Sequence, residues 1–229
     1  EAKIKQPNIL LLLSDDQSFS TINALGNKEV STPNMDRLVS EGTTFTHAHI
    51  MGGNTGAICM PSRAMMMTGK NVHRFNSKGA LTSEDETIPQ LLREAGYATF
   101  GTGKWHNNSD SFAKSFTHGS NIFLGGMSNH LRVPLHDFDP SGEYLKRNRR
   151  FEDKFSSVLF REATVDFLEN YNEDKPFFAF VSFTSPHDPR MAPKEYEEMF
   201  NTEKISLPEN FQPIHPFDNG ELIIRDENL

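Results

Sequence analysis

Cys59 is the only cysteine in the chain, and Arg63 follows it four residues later in the run Cys59-Met60-Pro61-Ser62-Arg63. Proline is accepted in the first turn of a helix, where its missing N–H has no partner to lose, so a helix is predicted to open here and run through Met65, Met66 and Met67. Residues four apart stand one above the other on a helix, which brings Arg63 and the free N–H groups of the first turn to face Cys59. Such a place attracts an oxyanion. The alternative is a structural thiol, since free cysteine packs as a small hydrophobe. Three other groups have the right chemistry. Asp15 and Asp16 are neighbouring carboxylates that suit a hard divalent cation, or else one of them caps a helix. Lys104 and His106 point the same way on an extended segment while Trp105 points opposite, which converges a cation and an imidazole unless both are solvated. His187 stands between Pro186 and Pro189, whose restricted backbones suit a positioned acid.

Elements that could hold these residues are legible in the apolar pattern. Ile9–Leu13, 98–101 and 177–183 read as buried strands, being short, continuous and bounded by Asp, Gly or Pro. Residues 34–41, 88–95 and 160–171 read as amphipathic helices, with Met35, Leu38 and Val39 forming the apolar face of the first. Strands alternating with helices predict an α/β fold with a mainly parallel sheet sandwiched by helices. In such sheets ligands gather beyond the carboxyl ends of the strands, where Asp15, Lys104 and His187 all fall. Residues 107–150 show no clear periodicity and read as a long excursion over the sheet edge.

Cys-x-Pro-Ser-Arg followed by Thr68-Gly69 resembles the signature of the type I sulfatases. The Asp15-Asp16 pair, Gly103-Lys104-Trp105-His106 and Pro186-His187-Asp188-Pro189 are similar to three further motifs of that family, in its order. The resemblance implies an alkaline-phosphatase-like fold. It implies that Cys59 is oxidised to formylglycine by a maturation enzyme, and that the aldehyde hydrates to a diol, one hydroxyl of which attacks sulfur while the other later loses its proton. It implies that Asp15, Asp16 and residue 59 bind a divalent metal, calcium or alternatively magnesium. By the same resemblance Lys104 holds a sulfate oxygen, His106 contacts the diol and His187 contacts the ester oxygen. Asp188 occupies a variable position and inherits no role. The implied substrate is a sulfated small molecule or oligosaccharide, and the implied location is periplasmic or secreted. The family's second metal pair and another lysine have no clear counterpart after His187, so residues 1–229 are expected to be an incomplete N-terminal catalytic domain. Asp218-Asn219-Gly220 reads as a turn, with a metal role as the alternative.

Composition constrains partners more than chemistry. A chain of 229 residues, 36% hydrophobic and 24% charged, is ordinary for a globular protein, and its net charge of −8 argues against nucleic acid as the partner. The longest apolar run, Ile9–Leu13, is too short to cross a bilayer. Lys146, Arg147, Arg149 and Arg150 form one basic cluster that either meets a polyanion or is solvated. His47 and His49 alternate on an extended segment and could chelate zinc, or simply pack. A phosphomonoester or phosphonate hydrolase of the same superfold, and a non-catalytic binding protein, are the competing readings.

Overall fold

A computed structural model describes residues 6–53, 58–76, 78–207, 209–214 and 216–217. These contain strands β1 (Ile9–Leu13), β2 (Ala98–Lys104), β3 (His118–Phe123) and β4 (Phe177–Ser182). The helices are α1 (Pro33–Glu41), α2 (Cys59–Thr68), α3 (Ile88–Glu94), α4 (Ser109–Ser115), α5 (Ser156–Asn170) and α6 (Lys194–Glu197). The chain divides into two units. One holds residues 1–16 and 50–191, including all four strands; the other holds residues 17–49 and 192–229.

The four strands form one sheet in the order β1-β4-β2-β3, and every pairing is parallel. The carboxyl ends of all four therefore lie along one edge. β4 alternates its side chains across the sheet. Phe178 and Phe180 pack on one face with Ala64 and Met67 of α2, Phe112 of α4, Phe116 and Trp105, while Ala179 and Phe177 pack on the other with Ala163 and Phe167 of α5. Helices thus cover both faces, as the pattern predicts. Buried positions of α5 are Ser156, Leu159, Phe160, Ala163 and Thr164, a spacing of three and four that makes one helical stripe.

Strand β1 has the predicted limits, but Leu10 and Leu12 on its α5-side face remain about half exposed. β2 is buried throughout and runs to Lys104, three residues beyond the apolar signal. Pairing with strands on both sides extends it past Gly101. α5 begins four residues before the predicted 160, because the serines that open it hide the periodicity. α3 is entered through a capping box: Gln90 Oε1 accepts from the Thr87 N–H at 3.0 Å and from its hydroxyl at 3.0 Å.

The 107–150 segment is not a structureless excursion. It contains α4, whose cap is the Asn108 side chain accepting from Ser111 N–H at 2.7 Å, and the edge strand β3. Within α4 only Phe112 and Ala113 are apolar, with Phe116 just after it, and Gly119 and Asn121 break the alternation of β3. The chain then returns beside β3, with antiparallel bridges Ile122 to His136 and Leu135 to Arg150.

In the second unit, α1 follows Thr32, whose hydroxyl donates to Asp36 Oδ1 at 2.8 Å. None of its residues is buried, and Leu38 is 61% exposed, so the predicted apolar face is not a core face in this structure. His47 and His49 belong to this unit.

Gly103 is the position where sheet geometry leaves least freedom. Its φ is +84°, and an added Cβ would lie 1.8 Å from the Ser182 carbonyl oxygen on β4. Gly103→Ala combines an unfavourable backbone, costing about 1–3 kcal/mol, with a clash against a paired strand. We expect this variant to be insoluble or to melt far below the parent, as measured by circular dichroism.

Candidate active site

Three strand ends and one helix mouth meet at the carboxyl edge of the sheet. β1 stops at Leu13, and its pairing with β4 continues into the loops: Phe183 N–H donates to Leu13 C=O at 2.8 Å and Asp15 N–H to Ser185 C=O at 3.0 Å. Asp16 then turns through a left-handed conformation, φ +62°. That turn frees both neighbouring carboxylates from strand alternation.

Asp15 is almost fully buried. Its Oδ1 accepts from Arg63 Nη2 at 3.1 Å, and its Oδ2 takes a short contact from Lys104 Nζ, which is itself completely buried. Arg63 also donates through Nη1 to the Lys104 carbonyl at 3.0 Å and to Ser182 Oγ at 2.5 Å. The guanidinium therefore does not bond to Cys59, as the i to i+4 argument predicts, because a carboxylate, a carbonyl and a hydroxyl offer better acceptors. It acts on the thiol through its field alone. Ser182, the lone hydroxyl of β4, is a functional contact that the strand reading missed; a polar side chain at the end of an apolar central strand was the available signal.

Cys59 opens α2 two residues before Pro61, which occupies the third helical position. Its Sγ lies 3.7 Å from Asp16 Oδ1. Burial pushes the thiol up from the ordinary 9.0 to about 11, against the lowering influence of Lys104; Asp15 and Asp16 add to the rise. Asp15, Cys59 and His187 bring ligand atoms within 4.8 Å of one another, and Asp16 Oδ2 stands 3.5 Å from His187 Nε2. This donor set fits a cation. Two carboxylates supply hard oxygen donors, and Asp15 keeps lone pairs beyond those used by Arg63 and Lys104.

His187 sits in the loop after β4. Its N–H donates to Thr184 C=O at 3.1 Å, and Nδ1 lies 2.9 Å from the Asp188 carbonyl. A carbonyl only accepts, so Nδ1 carries the hydrogen and Nε2 is the nitrogen left facing Asp16. His106 leaves the extended backbone, with φ +51°, so strand alternation does not aim it. Burial, and then the charges of Lys104 and Arg63, lower its pKa from 6.5 to about 4. Its Nδ1 is buried with no hydrogen-bond partner among the described residues, a free site for one more polar group. Gly126 packs against the ring: a Cβ there would come 2.5 Å from His106 Nε2. Trp105 points the other way, as predicted, edge-on to Phe112, Phe116 and Phe180.

All seven residues singled out from the sequence, Asp15, Asp16, Cys59, Arg63, Lys104, His106 and His187, belong to the sheet-bearing unit and cluster at this edge. Of the basic cluster, Arg150 is engaged with Asp137 at 3.0 Å and Glu152 at 2.8 Å. Asp218, Asn219 and Gly220 lie outside the described residues.

The family model described as Sulfatase matches residues 7–221. An uncharacterized sulfatase of Schizosaccharomyces pombe is 31% identical over 86% of this chain and 40% of its own length. An N-acetylglucosamine-6-O-sulfatase of Bacteroides thetaiotaomicron is 29% identical over 90% of this chain and 35% of its own. The chain thus spans well under half the length of these curated relatives. Among solved structures, one in complex with its substrate D-glucosamine-2-N,6-O-disulfate superposes with a TM-score of 0.74, at 27% identity, over 90% of this chain and 40% of the other.

Two measurements probe the site without any substrate. Asp15→Asn leaves two buried cations uncompensated, and breaking a buried pair costs about 3–5 kcal/mol. We expect a corresponding drop in urea midpoint, whereas a change below about 1 kcal/mol would show that Asp15 is solvated. With a pKa near 11, unmodified Cys59 carries little thiolate at pH 8. Iodoacetamide should label it about 100-fold more slowly in native than in denatured protein.

Proposed function

This chain belongs to the sulfatase family, and from that membership and the pocket around Cys59 we propose that the protein hydrolyses a sulfate ester of a carbohydrate, with a hexosamine or glycosaminoglycan fragment as substrate. The observation that carries this reading is the buried Asp15, Arg63 and Lys104 cluster beside Cys59. Within the buried cluster one carboxylate faces two cations, a surplus of one positive charge that the more exposed Asp16 offsets until a cation binds there. A sulfate ester is a monoanion, and its transition state gathers charge on the sulfuryl oxygens and the leaving oxygen. Fixed cations preorganised at that point stabilise it more than they stabilise the ground state.

Cys59 is proposed to be converted to formylglycine by a maturation enzyme, which supplies a hydroxyl nucleophile that a thiol cannot replace. Calcium, or alternatively magnesium, is proposed at Asp15, Asp16 and the residue-59 oxygen, where it supplies Lewis acidity. The protein's own groups do the rest. Arg63 and Lys104 bind sulfuryl oxygens, the Lys104 ammonium being held in place by Asp15. His106, neutral above pH about 4, offers its unbonded Nδ1 to a hydroxyl on residue 59. His187, as the imidazolium, donates Nδ1–H to Asp188 C=O and presents Nε2–H to the leaving oxygen as proton donor.

The carbohydrate assignment is supported by relatives named as N-acetylglucosamine-6-O-sulfatase and N-acetylgalactosamine-6-sulfatase, and by the neighbour bound to a sulfated glucosamine. Export to the periplasm or beyond is proposed on the family resemblance. Among the described residues no helix is long and apolar enough to cross a membrane.

The test is a screen of the complete, matured protein on sulfated mono- and disaccharides beside matched aryl sulfate and aryl phosphate esters. We expect turnover of at least one 6-O-sulfated hexosamine and a loss of at least about 10³-fold in Cys59→Ala. Faster turnover of phosphate than sulfate would replace this reading with a phosphoester hydrolase.

A further inference from the structure

His130 lies in the segment that sequence alone reads as an excursion, and no step proposed above uses its ring. It is nevertheless 1% exposed and fully bonded. Nε2 lies 3.0 Å from the backbone oxygen of His187. That oxygen can only accept, so Nε2 carries the hydrogen and donates it. Nδ1 is 3.0 Å from Thr184 Oγ1 and 3.1 Å from Ser156 Oγ, two buried hydroxyls that are themselves 2.8 Å apart. Ser185 Oγ stands farther off, at 3.4 Å. The His130 carbonyl accepts from Ser156 N–H at 2.8 Å, and Phe155 stacks on the ring at 5.3 Å between centroids, nearly parallel.

The ring is thus held by the first residue of α5 and by Thr184, just beyond the end of β4, and it passes that constraint to the peptide group of His187. The opposite end of the same turn is closed by His187 N–H on Thr184 C=O. The imidazole of His187 has a further bond, to Asp188, the residue that follows it in the same turn. With the ring tied to Asp188, the direction of His187 Nε2 follows the position of the turn that carries both residues. We propose that His130 is a positioning residue: it fixes the Thr184-to-His187 turn so that His187 Nε2 faces the leaving oxygen of the substrate. This rests on the sulfatase reading given above.

A donor that merely fills a core would affect all substrates alike; a donor that aims a proton would not. Sugar sulfates leave as basic alkoxides and need that proton, whereas 4-nitrophenyl sulfate leaves as a stable phenolate and hardly does. Two isopolar variants separate these roles. The glutamine amide nitrogen reaches the place of imidazole Nε2 and can still donate to His187 C=O, while asparagine is one carbon shorter and cannot. In the complete, matured protein we expect His130→Asn to lower kcat on the sugar sulfate about 10- to 100-fold, with KM within about threefold and 4-nitrophenyl sulfate turnover within about threefold. His130→Gln should recover most of the sugar sulfate rate. Equal losses on both esters, or equal rates for Gln and Asn, would overturn the proposal. Should the parent cleave neither ester, the sulfatase reading fails on its own; crystal structures of the two variants then decide the positioning role. A His187 ring unmoved relative to Asp16 in His130→Asn would refute it, and a displaced ring in Asn but not in Gln would support it.

Discussion

A single buried carboxylate organises this molecule. Asp15 sits where β1 ends, in surroundings where an unpaired charge is prohibitively costly, and its two oxygens are met by Arg63 from α2 and Lys104 from β2. Neither cation reaches it unless the sheet is registered and α2 is docked with its mouth toward the same edge. Arg63 adds β4 to the set through Ser182. The four elements are therefore coupled by one cluster of mutually dependent charges, which buys positional definition rather than stability. Replacing such a cluster by apolar residues often stabilises a protein; keeping it makes sense where the charges have work to do.

The register of the sheet carries this definition into the loops. Pairing between β1 and β4 persists beyond the last strand residues, so that Asp15 and Ser185 are bonded main chain to main chain. Asp16 and His187 hang from these two loops, and their side chains face across a 3.5 Å gap. A one-residue slip of β1 against β4 would separate them, as well as turning Leu11 and Leu13 out of the core. Core packing and site geometry are thus secured by the same hydrogen bonds. Gly103 shows the cost of that arrangement, since β2 passes β4 so closely that no side chain fits there.

Much of the site was legible in the sequence because its residues stand in short local runs: Asp15-Asp16, Cys59 to Arg63, Lys104 to His106 and the proline-flanked His187. Local spacing also gave the outline of β1, α3 and β4. What it did not give were positions whose role exists only across the fold. Ser182 stands out as the one hydroxyl of β4, but its role appears only when Arg63 arrives from 119 residues away. His130 and Gly126 carry no motif, and their partners, His187 and His106, come from other segments of the chain. α4 and β3 escaped for a different reason. Their buried positions include Ser111, Ser115 and Asn121, which are accommodated by hydrogen bonds to Trp105, Asn108, Thr87 and the Leu159 carbonyl rather than by hydrophobicity, so that periodicity is silent. The apolar face of α1 misled in the opposite sense, by predicting burial where Met35 and Leu38 are exposed.

The electrostatics of the pocket also bear on which form of residue 59 can react. Thiol chemistry needs a thiolate, and enzymes that use it place the sulfur where cations and helix dipoles outweigh burial. Here burial outweighs Lys104 and Arg63, two carboxylates stand beside the sulfur, and the thiol is pushed to about 11. His106 cannot offer a cationic partner, because the same burial and the same cations hold it neutral down to about pH 4. A cysteine nucleophile would be suppressed by every large influence in this site except the cations. Those cations are instead well placed for an external anion, and the carboxylates for a metal. The pocket thus disfavours a thiolate at position 59, which is consistent with the oxygen nucleophile proposed for that position.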